Sequence, residues 1–367
     1  LVADATDAVL VVGDGVARSG VDAVEAAVSL AEAGGMRVHG EILACEVDFP
    51  TDHDQWVSYI PPDEDLAATI MSTDVLVFAG CSTNTTLVAH DRDLVSADTT
   101  CVHVGDDAWQ LGKNQPADAA VLGDPGVVLD ELADRVGDRI DPDDVESRLA
   151  TVEAFKEMAG RQVDAMGEDE EGADEGEEGA RDPRASKAEL VDALRAVAPD
   201  AYVVDEGVTA KYAMLTRFPL AAEQYVSNKG GGLGYGLPAA VGAAIAEGGR
   251  EDRDPRDVLG FVGDGSYLYY PQTLYTAARY GVDLTVVVPD NRNYRILKDN
   301  TLDIYGGEEE DHEFVGMDFD PPVDIPANAE SHGATGRLVD DPGGIEEAVR
   351  EGVGTDGPVV LDVLVHD

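Results

Sequence analysis

Two short apolar runs with a helical stretch between them constrain the fold of this chain more than any other feature. Val258–Val262 ends in Gly263-Asp264-Gly265-Ser266, and the run 284–288 ends in Pro289-Asp290-Asn291. Pro271 stands where a helix can start, and Leu274, Ala277 and Ala278 recur at helical spacing. Strand, helix, strand in that order predicts a right-handed crossover between parallel strands. Asp-Gly after an apolar run also serves hairpins, but a hairpin needs its return strand at once. Parallel strands end on one sheet edge, so Asp264 and Asn291, 27 positions apart, are expected to meet where open α/β sheets bind ligands. A carboxylate and an amide oxygen, beside glycines that let a phosphate approach the backbone, predict a Mg²⁺–diphosphate clamp.

A second block, 228–247, reads NKGGGLGYGLPAAVGAAIAE. Gly230, Gly231 and Gly232 favour neither strand nor helix, and they suit a backbone that passes close to a bulky ligand. After Pro238 come Ala239, Ala240, Gly242, Ala243, Ala244 and Ala246, a helix surface small enough for very close packing. A flexible loop leading into a packed core helix is the alternative for this block taken alone.

Together the two blocks resemble the diphosphate-binding domain of thiamine diphosphate-dependent enzymes of the 2-keto acid decarboxylase and acetolactate synthase group, benzoylformate decarboxylase in particular. The family motif is Gly-Asp-Gly, a spacer, then Asn-Asn. Here it stands as Gly263-Asp264-Gly265 and Asp290-Asn291, with Asp in place of the first Asn. The run Gly230 to Tyr235 matches that enzyme's Gly-Gly-Leu-Gly-Phe, and Asp205-Glu206-Gly207 matches its Asn-Glu-Ser. Phe49-Pro50-Thr51-Asp52-His53 matches a Phe-Pro-Thr-Arg-His stretch of its middle domain.

The resemblance implies a fold and a set of roles. The fold is α/β, with two doubly wound, mainly parallel-sheet domains: a Rossmann-like middle domain and a thiamine diphosphate-binding domain, joined by an acidic linker. Asp264, the Asn291 side chain and the Asn293 carbonyl would hold Mg²⁺. Gly263 belongs to the same turn, and Gly265, Ser266, Tyr294 and Thr209 would contact the diphosphate. Leu233 would wedge between the two rings of the cofactor, while Gly231, next to Gly232, would offer its carbonyl to the aminopyrimidine. His53 would transfer protons, a task that suits an imidazole titrating near neutrality; within Asp52-His53-Asp54 it also reads as part of a solvated loop. Ile296 and Leu297 fall where the family lines its substrate pocket, although two aliphatics after a loop also read as core.

In this family the glutamate that activates the pyrimidine lies in an N-terminal pyrimidine-binding domain. The chain has no initiator Met and opens just before the strand-like run Ala8–Val12. A fragment or processed chain is therefore expected, or a split enzyme whose pyrimidine-binding domain is a separate subunit. The resemblance also implies a homodimer or homotetramer acting on a small 2-keto acid.

The first half, 1–137, reads as its own α/β unit. Strand-like runs stand at Ala8–Val12, 37–39, Val75–Ala79, 101–104 and Ala119–Leu122, with a helical pattern at 21–33. Gly13-Asp14-Gly15-Val16-Ala17-Arg18 has two glycines of a dinucleotide fingerprint, but Arg18 stands where the third belongs. A tight strand-to-helix turn explains it better. FAD, which acetolactate synthases carry on this domain, is not favoured, because their Gly-Met-His-Gly-type segment is missing and Val38-His39-Gly40-Glu41 is a poor substitute. Residues 138–185 are read as the acidic linker; within it 167–181, GEDEEGADEGEEGAR, has too few apolar side chains to order itself. The second domain is expected over 186–367, with a capping box from Ser186 to Glu189, a final strand at 358–365, and 306–322 as a mobile cover over the site.

Net charge is what most restricts partners. With 25 basic against 75 acidic residues the formal charge is −50, and such self-repulsion is tolerated where salt screens it. That predicts the high-salt cytoplasm of a haloarchaeal-type cell. No basic stripe exists for nucleic acid, no apolar run is long enough to span a membrane, and Cys45, Cys81 and Cys101 have no metal or disulfide spacing. The functional expectation is a thiamine diphosphate- and Mg²⁺-dependent 2-keto acid decarboxylase. Its rivals are a carboligase with FAD, a non-catalytic protein that kept the fold, and an unrelated nucleotide-binding protein.

Overall fold

A computed structural model of the protein describes residues 1–82, 90–172 and 183–367, and of residues 162–172 the backbone alone. The chain divides into two compact units, 1–164 with 220–223 and 165–219 with 224–367. Each holds a six-stranded sheet whose paired strands all run parallel.

The first sheet contains β1 (Ala8–Val12), β2 (Arg37–Gly40), β3 (Trp56–Tyr59), β4 (Val75–Ala79), β5 (Thr100–Gly105) and β6 (Ala119–Leu122). Their order, β3-β2-β1-β4-β5-β6, is that of the dinucleotide-binding fold. The residues of β1 and β4 are buried throughout, as expected for near-continuous apolar strands covered on both faces. Helix α1 (Val21–Gly34) stops at Gly35, whose φ of 58° supplies the left-handed cap. Helix α2 (Pro125–Gly137) begins with Pro in its first turn and the Asp124 carboxylate accepting from Val127 N–H.

The stretch read as an acidic linker is largely helix: α3 runs from Pro142 to Gly172. Its first half docks. Arg148, almost fully buried, donates to the Gly34 carbonyl at 2.7 Å, capping the C-terminus of α1, and to the Val2 carbonyl at 2.8 Å. Phe155 lies 3.9 Å under the Arg37 guanidinium, and Val152 is buried. Val145, Arg148, Val152 and Phe155 make one helical face, a periodicity masked by the acidic residues between them. Of the acidic stretch 167–181, residues 167–172 are helical and the rest lies outside the described residues.

The second sheet contains β7 (Tyr202–Glu206), β8 (Tyr225–Val226), β9 (Val258–Val262), β10 (Leu284–Asp290), β11 (Thr335–Val339) and β12 (Pro358–Leu364). Their order is β11-β12-β10-β9-β7-β8. Helix α4 (Lys187–Val197) starts with the expected capping box between Ser186 and Glu189. Helix α5 (Gly236–Gly248) is the alanine-rich one, and a Cβ on Gly260 of β9 would stand 3.1 Å from that of Ala240. Small residues on both elements therefore set how closely α5 lies on the sheet. The expected crossover is present: β9 leads through α6 (Asp264–Tyr267) and α7 (Thr273–Tyr280) to β10, which pairs with it in parallel, Val286 opposite Gly260. Helix α8 (Arg295–Tyr305) follows β10. Among the described residues, no helix is long and apolar enough to cross a membrane.

Candidate functional site

In the second sheet the chain leaves β7 for β8 on one side and reaches β9 on the other, so the strand order reverses between β7 and β9. The crevice at such a reversal, off the C-terminal strand ends, is where open α/β sheets take ligands. Glu206 ends β7, the Gly263-Asp264-Gly265 turn follows β9, and Asp290-Asn291 lies at the end of β10. Gly263 N–H donates to the Glu206 carbonyl at 3.1 Å, which fixes the turn to the neighbouring strand. A Cβ on Gly265 would sit 2.4 Å from the Tyr294 ring. Only glycine lets the turn and that ring close on each other.

Among the described residues, three buried oxygens at this edge have no hydrogen-bond partner: Asp264 Oδ2 and Asn293 Oδ1 by the turn, and Asp362 Oδ1 on β12. Orphaned buried oxygens are costly unless a donor or a cation meets them. Asn291 donates from Nδ2 to the Asp367 carboxylate at 2.7 Å, so Oδ1, which accepts a long bond from Asn293 N–H at 3.4 Å, is the amide end with acceptor capacity toward a cation. Asn293 Nδ2 donates to the same carboxylate at 3.0 Å. Burial, and then the neighbouring Asp290 carboxylate, push Asp264 far above the usual carboxylate range. Asp362 on β12 is raised for the same two reasons. Asp290, the departure from the family's Asn, accepts from Arg292 N–H at 2.8 Å. Among the described residues, no group of three or more His, Cys, Asp or Glu is arranged to hold a metal. Asp264 instead stands with the amide and carbonyl oxygens of Asn291 and Asn293, while the nearby Asp290 and Asp367 carboxylates accept N–H groups of Arg292, Asn291 and Asn293. That hard-oxygen set fits Mg²⁺, which commonly completes its shell with water and phosphate.

The residues singled out in sequence fall into three groups. Gly263, Asp264, Gly265, Ser266, Asn291, Asn293 and Tyr294 share this sheet edge, and Ser266 is buried. Thr209 lies in the single turn 208–210 that follows Glu206 and packs against α8. The second group is the loop with Gly231, Gly232 and Leu233. A Cβ on either glycine would meet nothing within 4 Å, and Gly231 has φ 69°. The third group is less tied to the turn. Ile296 is half-buried in the first turn of α8 and Leu297 is 41% exposed, so neither is a core residue. His53 belongs to the first unit, stacked edge-on against Phe49 at 5.1 Å, with Nε2 3.3 Å from Glu32 and Nδ1 accepting from Gln55 N–H at 3.1 Å.

The segment 306–322 is tied down next to the turn. Tyr294 N–H donates to the Met317 carbonyl, Phe319 N–H to the Arg292 carbonyl, and Lys298 Nζ to Asp318 at 2.7 Å. Sequence reasoning missed the side chains that shape the edge: the Glu206 carboxylate, Asn228, Asp362 and Asp367. Asp362 had a visible signal, as an acidic residue inside the apolar run 358–364.

In the first unit, Gly13-Asp14-Gly15 is a tight turn between β1 and the helical turn Gly15–Arg18. Gly13 N–H donates to the Ala79 carbonyl and Gly15 N–H to the Gly80 carbonyl, both at 2.9 Å. Glu41, fully buried, covers it: its carboxylate would lie 2.7 Å from a Cβ on Gly13 and accepts from Ser82 N–H at 2.8 Å. A phosphate at this turn would have to displace a carboxylate.

Residues 1–132 match the family model "Thiamine pyrophosphate enzyme, central domain", and residues 207–363 match "Thiamine pyrophosphate enzyme, C-terminal TPP binding domain". The chain is 31% identical to benzoylformate decarboxylase of Pseudomonas aeruginosa over 176 residues, 47% of this chain and 31% of that protein. It is 28% identical to acetolactate synthase of Bacillus subtilis over 260 residues, 67% of this chain and 43% of that protein. In fold it is similar to the thiamine diphosphate-dependent 4-hydroxybenzoylformate decarboxylase of Rhodococcus jostii RHA1, with a TM-score of 0.78 at 24% identity, covering 100% of this chain and 62% of that one. The chain spans about half the length of the curated relatives it matches.

Proposed function

The chain belongs to the thiamine pyrophosphate enzymes, as their central and C-terminal TPP-binding domains, and from that premise we propose that it works in the non-oxidative decarboxylation of a small 2-keto acid, with thiamine diphosphate and Mg²⁺ as cofactors. The observation that carries this reading is the pair of orphaned buried oxygens, Asp264 Oδ2 and Asn293 Oδ1, at a glycine turn on the ligand-binding edge of the sheet. Asp264, Asn291 and Asn293 would hold the cation. Gly265, Ser266, Thr209 and Tyr294 would orient the diphosphate, with Leu233 and the Gly231 carbonyl toward the rings. Bound there, the cofactor supplies a nucleophilic carbon for the keto group and a sink for the electron pair left when CO₂ departs. The domains would be 1–137 and 186–367, joined by 138–185.

His53 is proposed as a proton-transfer group from the resemblance. Because Nδ1 accepts from Gln55 N–H, the neutral ring carries its proton on Nε2, the atom that faces Glu32. The pyrimidine-activating group would come from a pyrimidine-binding domain, on the same polypeptide or a separate subunit, within a homodimer or homotetramer. Carboligation is the second reading, favoured by the acetolactate synthase among the relatives. Calorimetric titration with thiamine diphosphate and Mg²⁺ tests the cofactor assignment. Assays with the pyrimidine-binding domain present and 2-keto acids as substrates then separate CO₂ release from carbon–carbon bond formation. An FAD absorbance band on the purified protein favours the carboligase.

We further propose a high-salt cytoplasm as its setting. The formal charge of −50 supports this, as does the use of scarce cations inside the fold, where Arg37, Arg148 and Lys298 are buried with partners.

A further inference from the structure

The Glu206 side chain takes three successive backbone donors. Oε1 accepts from Gly234 N–H at 2.7 Å and from Tyr235 N–H at 3.2 Å, and Oε2 accepts from Gly236 N–H at 2.6 Å. These groups form the entrance to α5, so the carboxylate occupies the positive end of that helix. The approach is very close. A Cβ on Gly236 would stand 2.7 Å from that of Glu206, and one on Gly234, at φ 95°, would strike Tyr269 at 2.6 Å. At the other end of the same loop the Asn228 side chain bridges two of its residues. Oδ1 accepts from Gly231 N–H at 2.9 Å, and Nδ2 donates to the Gly232 carbonyl at 3.0 Å. The loop that presents Gly231 and Leu233 is thus gripped at both ends by side chains, although its glycines alone leave its shape open.

We propose that Glu206 and Asn228 are positioning residues that pre-shape the 230–234 loop for the ring portion of thiamine diphosphate. This rests on the cofactor reading above. Neither residue touches the diphosphate in this account. The α5 terminus, filled by Glu206, repels a phosphate and leaves the diphosphate to the Gly265 turn. Pre-shaping raises affinity because the bound conformation needs no further ordering. The gain belongs to the thiamine rings alone, which makes it separable from a general loss of structure.

The test is calorimetry at fixed Mg²⁺ with two probes, thiamine diphosphate and inorganic pyrophosphate, on the wild-type chain and on Glu206→Gln, Asn228→Ala and Asn228→Asp. Gln cannot accept at both ends of its amide, so one of the three N–H groups faces another donor. Glu206→Gln and Asn228→Ala are expected to weaken thiamine diphosphate about tenfold or more, with pyrophosphate unchanged within about twofold. Asn228→Asp, which keeps the acceptor and loses the donor, is expected to fall between. If Glu206→Gln does not fold, the two Asn228 variants carry the test. Equal loss of both probes, or no loss of either, overturns the positioning role. A wild-type chain that binds neither probe overturns the cofactor reading itself, and this inference with it.

Discussion

At the end of β1, Gly13-Asp14-Gly15 turns beneath the Glu41 carboxylate. At the end of β9, Gly263-Asp264-Gly265 turns against the Tyr294 ring with a carboxylate oxygen left over. Both tripeptides follow fully buried parallel strands, and both lie at strand ends where a sheet reverses its order. Asp14 is engaged: Oδ1 accepts from Cys45 N–H at 2.7 Å, and Oδ2 lies 3.5 Å from Arg18. Asp264 Oδ1 accepts from the adjacent Gly265 N–H at 2.7 Å, and the charged group beside this carboxylate is Asp290, another acid, rather than a cation. The tripeptide specifies a tight strand-to-helix turn in both places. What stands opposite, brought from distant sequence, sets the two apart: the Glu41 carboxylate covers the first turn, and the Tyr294 ring closes on the second, where the cation is proposed.

Withdrawing salt attacks both turns at once and should have the largest effect. At molar salt the Debye length is about 3 Å, against about 10 Å at 0.1 M, so dilution restores the repulsion among the 75 acidic residues. Circular dichroism after dialysis into dilute buffer is expected to show an unfolded chain; a fully folded one contradicts the high-salt proposal. Next in size, Gly265→Ala drives a methyl into the Tyr294 ring and should weaken thiamine diphosphate by about tenfold or more, the equivalent of at least one lost contact to the charged cofactor. Gly13→Ala should lower stability and leave that affinity alone. A matched loss of affinity from both would erase the contrast between the turns.

Glu41→Ala removes the carboxylate that closes the first turn and strands the Ser82 N–H, at a cost of about 1–3 kcal/mol in denaturant unfolding. Cofactor affinity should not move; FAD absorbance gained by the variant over the wild type would show that Glu41 is the barrier to a dinucleotide at this turn. The smallest effect, at mildly acid pH within about one unit below 6.5, concerns the stability of the first unit. Burial, with the Arg37 guanidinium nearby, holds His39 down to about 3 from its ordinary 6.5. The unfolded chain therefore binds the extra proton between those values. Stability from a neutral His39 is full above about 6.5 and falls with pH toward 3, by at most about 1.4 kcal/mol per pH unit. His39→Gln should flatten that limb in urea titrations at several pH values, and an unchanged limb would mean that His39 is not held neutral.

Elements with a long apolar run were legible in sequence. The strands β1, β4, β6 and β9 have the bounds their runs suggested, and the β9–β10 crossover follows from turn chemistry. β3 and β8, at four and two residues, are too short to show a period. α3 was hidden because its buried face includes an arginine, a residue that reads as surface until its carbonyl partners are known. At the site, glycines and the carboxylate on a strand end were visible because local geometry demands them. Glu206, Asn228, Asp362 and Asp367 were not singled out for their roles, since those rest on partners that only folding brings near.

The difference between the two turns is tested most directly by titrating Mg²⁺ and thiamine diphosphate into the wild-type chain, Asp264→Ala and Asp14→Ala. Saturable, Mg²⁺-dependent binding by the wild type, abolished in Asp264→Ala and retained in folded Asp14→Ala, is the predicted result. Binding that survives in Asp264→Ala, or that is lost in a folded Asp14→Ala, would contradict the account.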